Sequence, residues 1–493
     1  MKVKHYQIPL IGLGILFISL FLTSCQSGDS ADNQPNIVFI LADDLGWADL
    51  PLYGNQFNEA PNISKLAEEG MHFDNAYAAC PVCSPTRASI QSGQYPARVG
   101  ITDFITGHWR PFEEVTVPIN RTQYLPQENI TFAEKLKEAG YATAYYGKWH
   151  LGWGDYEPLK QGYDEQAAYS GGGFYGYPEK MVPPHEFPEG KILSEALTDL
   201  SISFIEKNQD KPFLLFLSHY DVHVQLDAQT ELIEKYIAKE KAEGYPGNAV
   251  YAAMIENIDI SVGRIEAKLE ELGLDENTLV VFFSDNGGLR SRFDNIPLIE
   301  KSKLHYFEGD SLQYIATSNA PLRMEKGTVY EGGIREPLIV KWPGKVKPGT
   351  LNTSIVTSVD FYPTFLDIAG ITPDPMQKLD GKSLKNIVMK GEEDYDRAIF
   401  WHYPVYHHDV PASAVRKGDY KLIENLVDGS FQLYNLAVDI SESKNLVDSN
   451  PIKFEEMKSI LKSWQKDVKA EFPKPNPDFN PAKRYEWGRH PGR

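Results

Sequence analysis

The chain has 493 residues, 42% of them hydrophobic and 24% charged, an ordinary globular balance. Its length exceeds the roughly 250 to 300 residues at which single cores stop growing, so a large domain with a smaller companion is expected. The formal net charge of -19 argues against nucleic acid as a partner, which needs a basic face, and admits an anionic substrate only in a locally basic pocket.

The first 25 residues stand apart. Lys2 and Lys4 precede an apolar run from Ile8 to Leu22, too short for a comfortable membrane span, and Leu22-Thr23-Ser24-Cys25 resembles a bacterial lipobox. The resemblance implies an exported chain whose Cys25 is lipidated, anchoring it to a bacterial membrane on the periplasmic side or at the cell surface. Loss of residues 1–24 removes Lys2 and Lys4, taking the charge from -19 to -21. Residues 26–35 read as a polar linker. Cys80 and Cys83 then remain, and a disulfide closing so small a loop would stabilise little.

Over residues 36–373, five short apolar runs have the continuous character of strands buried on both faces of a parallel sheet: Ile37 to Ala42, Tyr141 to Tyr146, Pro212 to Leu217, Leu279 to Phe283 and Pro337 to Val340. Helical patterns such as Thr131 to Glu138, Ser194 to Lys207 and Ile255 to Leu272 alternate with them. The expected fold is α/β, a large mostly parallel sheet sandwiched by helices. Four of the five strands run into chemically loaded ends: Asp43-Asp44, Lys148-Trp149-His150, Ser218 to His223, and Asp285-Asn286-Gly287-Gly288. Ligands of open α/β sheets bind at the carboxyl ends of the strands, so these ends predict one site. Asp43, Asp44, Asp285 and Asn286 are hard oxygen ligands without a zinc-type Cys/His set, which points to Ca²⁺ or Mg²⁺. Standing alone, either pair would read as a turn or a helix cap.

The stretch CPVCSPTR, Cys80 to Arg87, admits two readings: a redox or zinc Cys-x-x-Cys pair, or a single modified nucleophile followed by an arginine. A helix is expected from Ser84 as N-cap, with Pro85 at its first position, through Ile90. Cys83 then sits at a positive helix end, with Arg87 one turn along and able to reach back to it. Beyond residue 373, residues 374–396 read as linker and 397–468 as a smaller C-terminal α+β domain built on a short antiparallel sheet. Its strands are Arg397 to Trp401, Ala412 to Arg416, Tyr420 to Glu424 and Phe431 to Tyr434. Phe454, Met457, Ile460, Leu461 and Trp464 line one face of a covering helix. Residues 469–493 are expected to be extended.

Cys83-Ser84-Pro85-Thr86-Arg87 resembles the Cys-x-Pro-Ser/Thr-Arg motif of the type I, formylglycine-dependent sulfatases of the alkaline phosphatase superfamily. Asp43-Asp44, Gly147 to Gly152, His223, Asp285 to Gly288 and Lys326 to Arg335 fall in that family's order. The resemblance implies that a sulfatase-maturating enzyme oxidises Cys83 to formylglycine. One hydroxyl of its hydrate would bind the metal and attack sulfur, and the other would lose a proton to expel sulfate. It implies a metal set of Asp43, Asp44, Asp285 and Asn286 with the modified Cys83, and Arg87 and His150 at the second hydroxyl, His150 as base. Lys148 and Lys326 would hold sulfate oxygens, and His223, with Lys326, would protonate the leaving alcohol. Ser92-Gly93-Gln94 stands where that family usually has Thr-Gly-Arg, and Gln225 where it often has proline, which keeps His219 as an alternate for His223. Cys80 matches no catalytic position and reads as a buried small residue. The segments Phe400 to Tyr403, His407-His408 and Arg416 to Leu422 look like those of bacterial polysaccharide sulfatases acting on galactose-type 4-sulfates. A sulfated oligo- or polysaccharide is therefore the expected partner, with His402, His108, Arg110 and Arg290 at the pocket rim. A phosphate or phosphonate ester hydrolase of the same superfamily and a silent glycan-binding lipoprotein are the competing readings.

Overall fold

A computed structural model describes residues 1–5, 34–107, 109–169, 174, 177–292 and 296–488. Cys25 and His108 lie outside the described residues. Contacts divide the chain into Met1–Asn33 and Gln34–Arg493, and the elements below belong to the second unit. Among the described residues no helix is long and apolar enough to cross a membrane.

Nine strands form the main sheet: β1 (Asn36–Ala42), β2 (Met71–Phe73), β3 (Ala142–Lys148), β4 (Glu165–Tyr169), β5 (Met181–Val182), β6 (Phe213–Ser218), β7 (Thr278–Ser284), β8 (Leu338–Lys341) and β9 (Thr350–Asn352), in the order β9-β2-β8-β7-β1-β6-β3-β4-β5. The central run from β7 to β4 is parallel. The fifth apolar run, read as one more strand of that kind, instead pairs antiparallel with β7 as β8. Between β7 and β8 the described residues form the 3-10 helices Lys301–Phe307 and Ser311–Gln313 and the four-residue α-helix Glu331–Ile334, joined by irregular chain. Without a crossover helix to carry it to the other end, it re-enters the sheet from the carboxyl side and must run back.

Seven helices matter for the site: α1 (Pro61–Glu68), α2 (Cys83–Ser92), α3 (Phe132–Glu138), α4 (Leu193–Lys207), α5 (Ala249–Glu271), α6 (Phe361–Ile368) and α7 (Pro451–Asp467). Alternation along β1 sorts them into layers. Val38 and Ile40 face a core with α1, α4 and α5, whereas Ile37, Phe39 and Leu41 face α2, α3 and α6. Thr131 starts α3 with a capping box, its hydroxyl accepting from the Glu134 N–H while the Glu134 carboxylate accepts from the Thr131 N–H.

The small sheet is a consecutive antiparallel set, β10 (Ala398–Tyr403), β11 (Ala412–Lys417), β12 (Tyr420–Asn425) and β13 (Phe431–Asn435). One face packs Val415, Leu422 and Leu433 against Met457, Leu461 and Trp464 of α7, as their helical spacing predicts. The other packs Trp401, Tyr403 and Ile423 on Tyr77, Cys80 and Val82, the segment leading into α2. Lys421, fully buried, forms ion pairs with Glu331 and Glu442, both at 2.9 Å. Glu331 also accepts from the Tyr77 hydroxyl at 2.8 Å, and the Gly333 carbonyl two residues on accepts from the Gly287 N–H at 3.1 Å. The small sheet is thereby tied to the loop that carries Asp285 and Asn286.

Candidate active site

Four adjacent parallel strands, β7-β1-β6-β3, deliver their ends to one place. Gly147, at φ +107°, lies in a conformation that favours glycine, and a Cβ there would stand 1.8 Å from the Ser218 carbonyl oxygen, so β3 and β6 meet closely where Lys148 and Ser218 emerge. Asp44 and His150 hold positive φ values of 63° and 56°, a conformation that costs a non-glycine residue about 1 kcal/mol or more and clusters at functional positions.

Asp43, Asp44, Asp285 and Asn286 are buried together. Ligand atoms of Asp43, Cys83 and Asp285 lie within 4.8 Å of one another, and so do those of Asp43, Asp44 and His223. Asn286 donates to Asp44 at 2.8 Å. Among the described residues, Asp43 Oδ1 and Asn286 Oδ1 are buried with no hydrogen-bond partner, two orphaned acceptors in one acidic cluster. Burial opposes ionisation of Asp43, but Lys148, His223, Arg87 and Lys326 hold its carboxyl well below the usual range. Burial and then the Asp43 charge push Asp285 up to about 7, against the pull of Arg87. A divalent cation among these oxygens would keep both carboxylates ionised and satisfy both orphans, so the donor set fits one.

The lysines sit on the same carboxylates. Lys148 Nζ lies 2.5 Å from Asp43 Oδ2, and Lys326 Nζ 2.6 and 2.8 Å from the two oxygens of Asp44. Arg87, expected to reach back to Cys83, instead braces the strand ends. Its Nε and Nη2 contact Asp285 at 2.9 and 2.7 Å, while Nη1 donates to the Lys148 carbonyl at 2.6 Å and Ser218 Oγ at 2.5 Å. Cys83 Sγ lies 3.2 Å from His150 Nδ1, and His150 Nε2 meets the Ile105 carbonyl. A carbonyl only accepts, so Nε2 carries the proton and Nδ1 is left as acceptor toward residue 83. Burial, then Lys148, keeps this imidazole neutral, its pKa well below normal. His223 donates from Nδ1 to the Val224 carbonyl at 2.6 Å and directs Nε2 toward Asp44, 3.7 Å away. Burial and the lysine charges lower it to about 4.

Other expectations resolve differently. Cys83 opens α2, with extended Val82 as its N-cap, so Ser84 is no cap; its hydroxyl accepts from the Ile105 N–H at 3.0 Å and anchors the neighbouring loop. His219 points away from the site to Ser261 of α5 at 3.0 Å, which leaves the site to His223. Cys80 is a buried free thiol in the interface under the small sheet. His402 is not at the rim: one ring nitrogen meets Ser413 Oγ of the small domain at 2.6 Å and the other the Glu471 carbonyl of the tail at 2.8 Å. Arg290 is exposed, its backbone N–H donating to Glu325 beside Lys326. Arg110 is buried, donating to the His407 carbonyl at 2.9 Å. His408 places Nδ1 3.0 Å from the Lys326 carbonyl and Nε2 2.9 Å from the Ser291 carbonyl, so the His407-His408 pair is one of the small domain's contacts with the segment that carries Lys326. Roles for Ser218 and the Ile105 carbonyl had no sequence signal: a serine ending a strand is commonplace, and a backbone carbonyl leaves no mark in a sequence.

Carboxylates, lysines and neutral histidines converging on a cysteine, at the carboxyl ends of a mostly parallel sheet, define a hydrolase of anionic esters. The Sulfatase family model matches residues 35–371, and a second, for the N-sulphoglucosamine sulphohydrolase C-terminal region, matches residues 323–471. The chain is 34% identical to a sulfatase of Formosa agariphila, over 91% of this chain and 90% of that protein. It is 31% identical to N-acetylgalactosamine-6-sulfatase of Canis lupus familiaris, over 84% of this chain and 76% of that protein. The crystal structure of Ps i-CgsB in complex with k-i-k-neocarrahexaose superposes with a TM-score of 0.72 at 28% identity, covering 88% of this chain and 93% of that one. The chain belongs to the sulfatase family and is a sulfatase.

Proposed function

We propose that the protein removes sulfate from a galactose-type sugar of a polysaccharide-derived oligosaccharide, with Cys83 oxidised to formylglycine and Ca²⁺, or Mg²⁺, held by Asp43, Asp44, Asp285 and Asn286. The observation that carries this reading is the meeting of two orphaned carboxylate and amide oxygens, two lysines and Cys83 at adjacent strand ends. The N-acetylgalactosamine-6-sulfatase relative and the neocarrahexaose complex support the sugar class. When present, the cation would polarise a sulfate oxygen and the formylglycine hydrate would furnish the attacking hydroxyl.

With Asp43 and Asp44 engaged in holding a cation, Lys148 and Lys326 would turn from those carboxylates to sulfate oxygens. His150 Nδ1 is oriented to accept a proton from the group at position 83, because Ile105 fixes its other nitrogen. His223 Nε2 would donate to the departing alcohol, and the lysine charges that depress its pKa are the ones a bound sulfate offsets. Arg87 keeps Asp285 and the end of β3 in register. We further infer export with a lipid anchor on Cys25 and maturation by a sulfatase-maturating enzyme, both supported by sequence motifs alone. The test is hydrolysis of 4-nitrophenyl sulfate against 4-nitrophenyl phosphate, followed by a panel of 4- and 6-sulfated galactose and N-acetylgalactosamine oligosaccharides. Faster phosphate hydrolysis, or an intact thiol at Cys83 in active protein by mass spectrometry, would reverse the assignment.

A further inference from the structure

The C-terminal tail is placed rather than loose. Lys474–Pro475 pair antiparallel with Val115–Thr116. Asn476 donates from its N–H to the Glu114 carbonyl at 3.0 Å and from its side chain to the carbonyls of Pro111 and Glu113 at 2.8 and 2.7 Å. The N–H of Asn480 reaches the Phe112 carbonyl at 3.1 Å and that of Gly488 the Trp109 carbonyl at 3.0 Å. Arg484 bridges Glu113 at 3.2 Å and Glu114 at 3.3 Å. Residues 474–488 thus lie along residues 109–116 for most of their length.

The segment they cover leads into the site from two sides. Upstream, Ile105 accepts from His150 and donates to Ser84 on α2, and the Phe104 ring lies 6.4 Å from that of His150. Downstream, Arg110 binds the His407 carbonyl, and the His407 ring packs so closely on Gly327 that a Cβ there would stand 2.0 Å from Nδ1. Gly327 follows Lys326. The tail also ends in the chemistry that a sulfated sugar takes. The Arg110 guanidinium stands 4.3 Å from the Trp487 ring centroid and 5.8 Å from that of Tyr485, whose side chain is 71% exposed. Arg110, committed to Glu113 at 3.3 Å and to the His407 carbonyl at 2.9 Å, fixes the Trp487 ring, and aromatic faces stack on the apolar face of a sugar ring. Residues 469–493 carry six basic residues and three acidic ones in a chain of net charge -19. A basic end on an acidic protein suits a polyanion. Both family matches stop short of it, the second at residue 471.

We propose that residues 474–488 form a substrate-recognition arm, in which Trp487, held against the buried Arg110, and Tyr485 bind a saccharide ring of the sulfated oligosaccharide beyond the one whose ester is cleaved. The proposal rests on the sulfatase reading of the site but is tested by binding, so the two fail separately. The binding protein is the full chain carrying Cys83→Ala, which cannot turn over. Its affinity for chondroitin 6-sulfate and κ-carrageenan tetrasaccharides, and for inorganic sulfate, is measured by calorimetry with and without Trp487→Ala, with Tyr485→Ala as a second variant. Loss of one stacked ring is expected to weaken a tetrasaccharide about tenfold while leaving inorganic sulfate unchanged. Equal weakening of sulfate and tetrasaccharide would make the tail a structural prop and overturn the proposal. Unchanged tetrasaccharide affinity in both variants, or binding of neither tetrasaccharide, overturns it as well. Failure of unsubstituted protein to cleave 4-nitrophenyl sulfate would instead count against the reading of the catalytic site.

Discussion

Lys421→Met removes a charge from the interior while keeping the volume of the side chain. Lys421 has no exposed surface and holds Glu331 and Glu442 at 2.9 Å each. Breaking a buried ion pair leaves an uncompensated charge and costs about 3–5 kcal/mol. Here two carboxylates would be left facing each other, and one must take up a proton. Burial and the Glu331 charge, against the pull of Lys421, already raise Glu442 to about 7, whereas Lys421 and Arg335 overcome burial to hold Glu331 near about 2. A carboxyl with a raised folded pKa stabilises fully below its unfolded value and loses that contribution as pH rises to the folded one. In the parent protein the Glu442 contribution is therefore lost by pH 7. Without the lysine its pKa rises further, and the variant goes on losing about 1.4 kcal/mol per pH unit above 7. The penalty should thus grow by about 2 kcal/mol between pH 7 and 8.5. For the folded unit Gln34–Arg493, unfolding entropy makes about 1 kcal/mol equal to about 1 °C. Differential scanning fluorimetry should show Tm lowered by about 3–5 °C at pH 7 and about 2 °C more at pH 8.5. Adding Glu442→Gln should restore most of the loss. A pH-independent shift, or no relief from the second substitution, would refute the reasoning.

Cys83→Ala should abolish hydrolysis of 4-nitrophenyl sulfate while Cys80→Ala leaves most of it; equal loss in both would revive the paired-thiol reading of CPVC. EDTA should lower Tm, and Ca²⁺ restored at about 100 times its Kd should return about 2.7 kcal/mol, read as about 3 °C; an unchanged Tm would remove the cation from the site. Burial lowers His402 to about 4 from 6.5, so between those pH values the unfolded chain binds a proton that the folded ring refuses. Stability should fall by about 3 kcal/mol as pH drops through that window, and the Tm of His402→Gln should lack this part of the pH slope. Leu461→Ala, which opens a cavity between α7 and the small sheet, should cost about 2–5 kcal/mol in urea unfolding; a negligible cost would mean that the helix is not held by that contact.

What the sequence disclosed followed from period and polarity. Runs such as Ile37 to Ala42 have no amphipathic alternation because both faces are buried, and their polar ends mark where the sheet stops and ligands begin. Hence the gathering of the acidic cluster, the two lysines and His150 and His223 at one set of strand ends was legible, whereas their supports were not. Ser84-Pro85 has the composition of a helix start, yet the serine lies within α2 and serves the Ile105 loop. His402 was placed wrongly because strand parity was not applied: Trp401 and Tyr403 face the catalytic body, so His402 between them turns to the opposite side. The antiparallel entry of β8 depends on where a long irregular segment leaves the chain, which local pattern does not encode.

All ten residues of α2 are buried, and Cys83 at its first turn is 3% exposed. A second protein that must grip the residues around this thiol cannot do so without unwinding a helix sealed between the main sheet and α6. Were Cys83 converted to formylglycine as proposed, that oxidation would have to compete with folding itself: the residues around it would be open to a maturating enzyme only before α2 is buried, and each molecule that folded first would be trapped as a stable, well-packed and inert product. The yield of active protein would then be set by the relative speeds of two reactions, and slowing the folding of the catalytic core would raise activity without altering a single catalytic group.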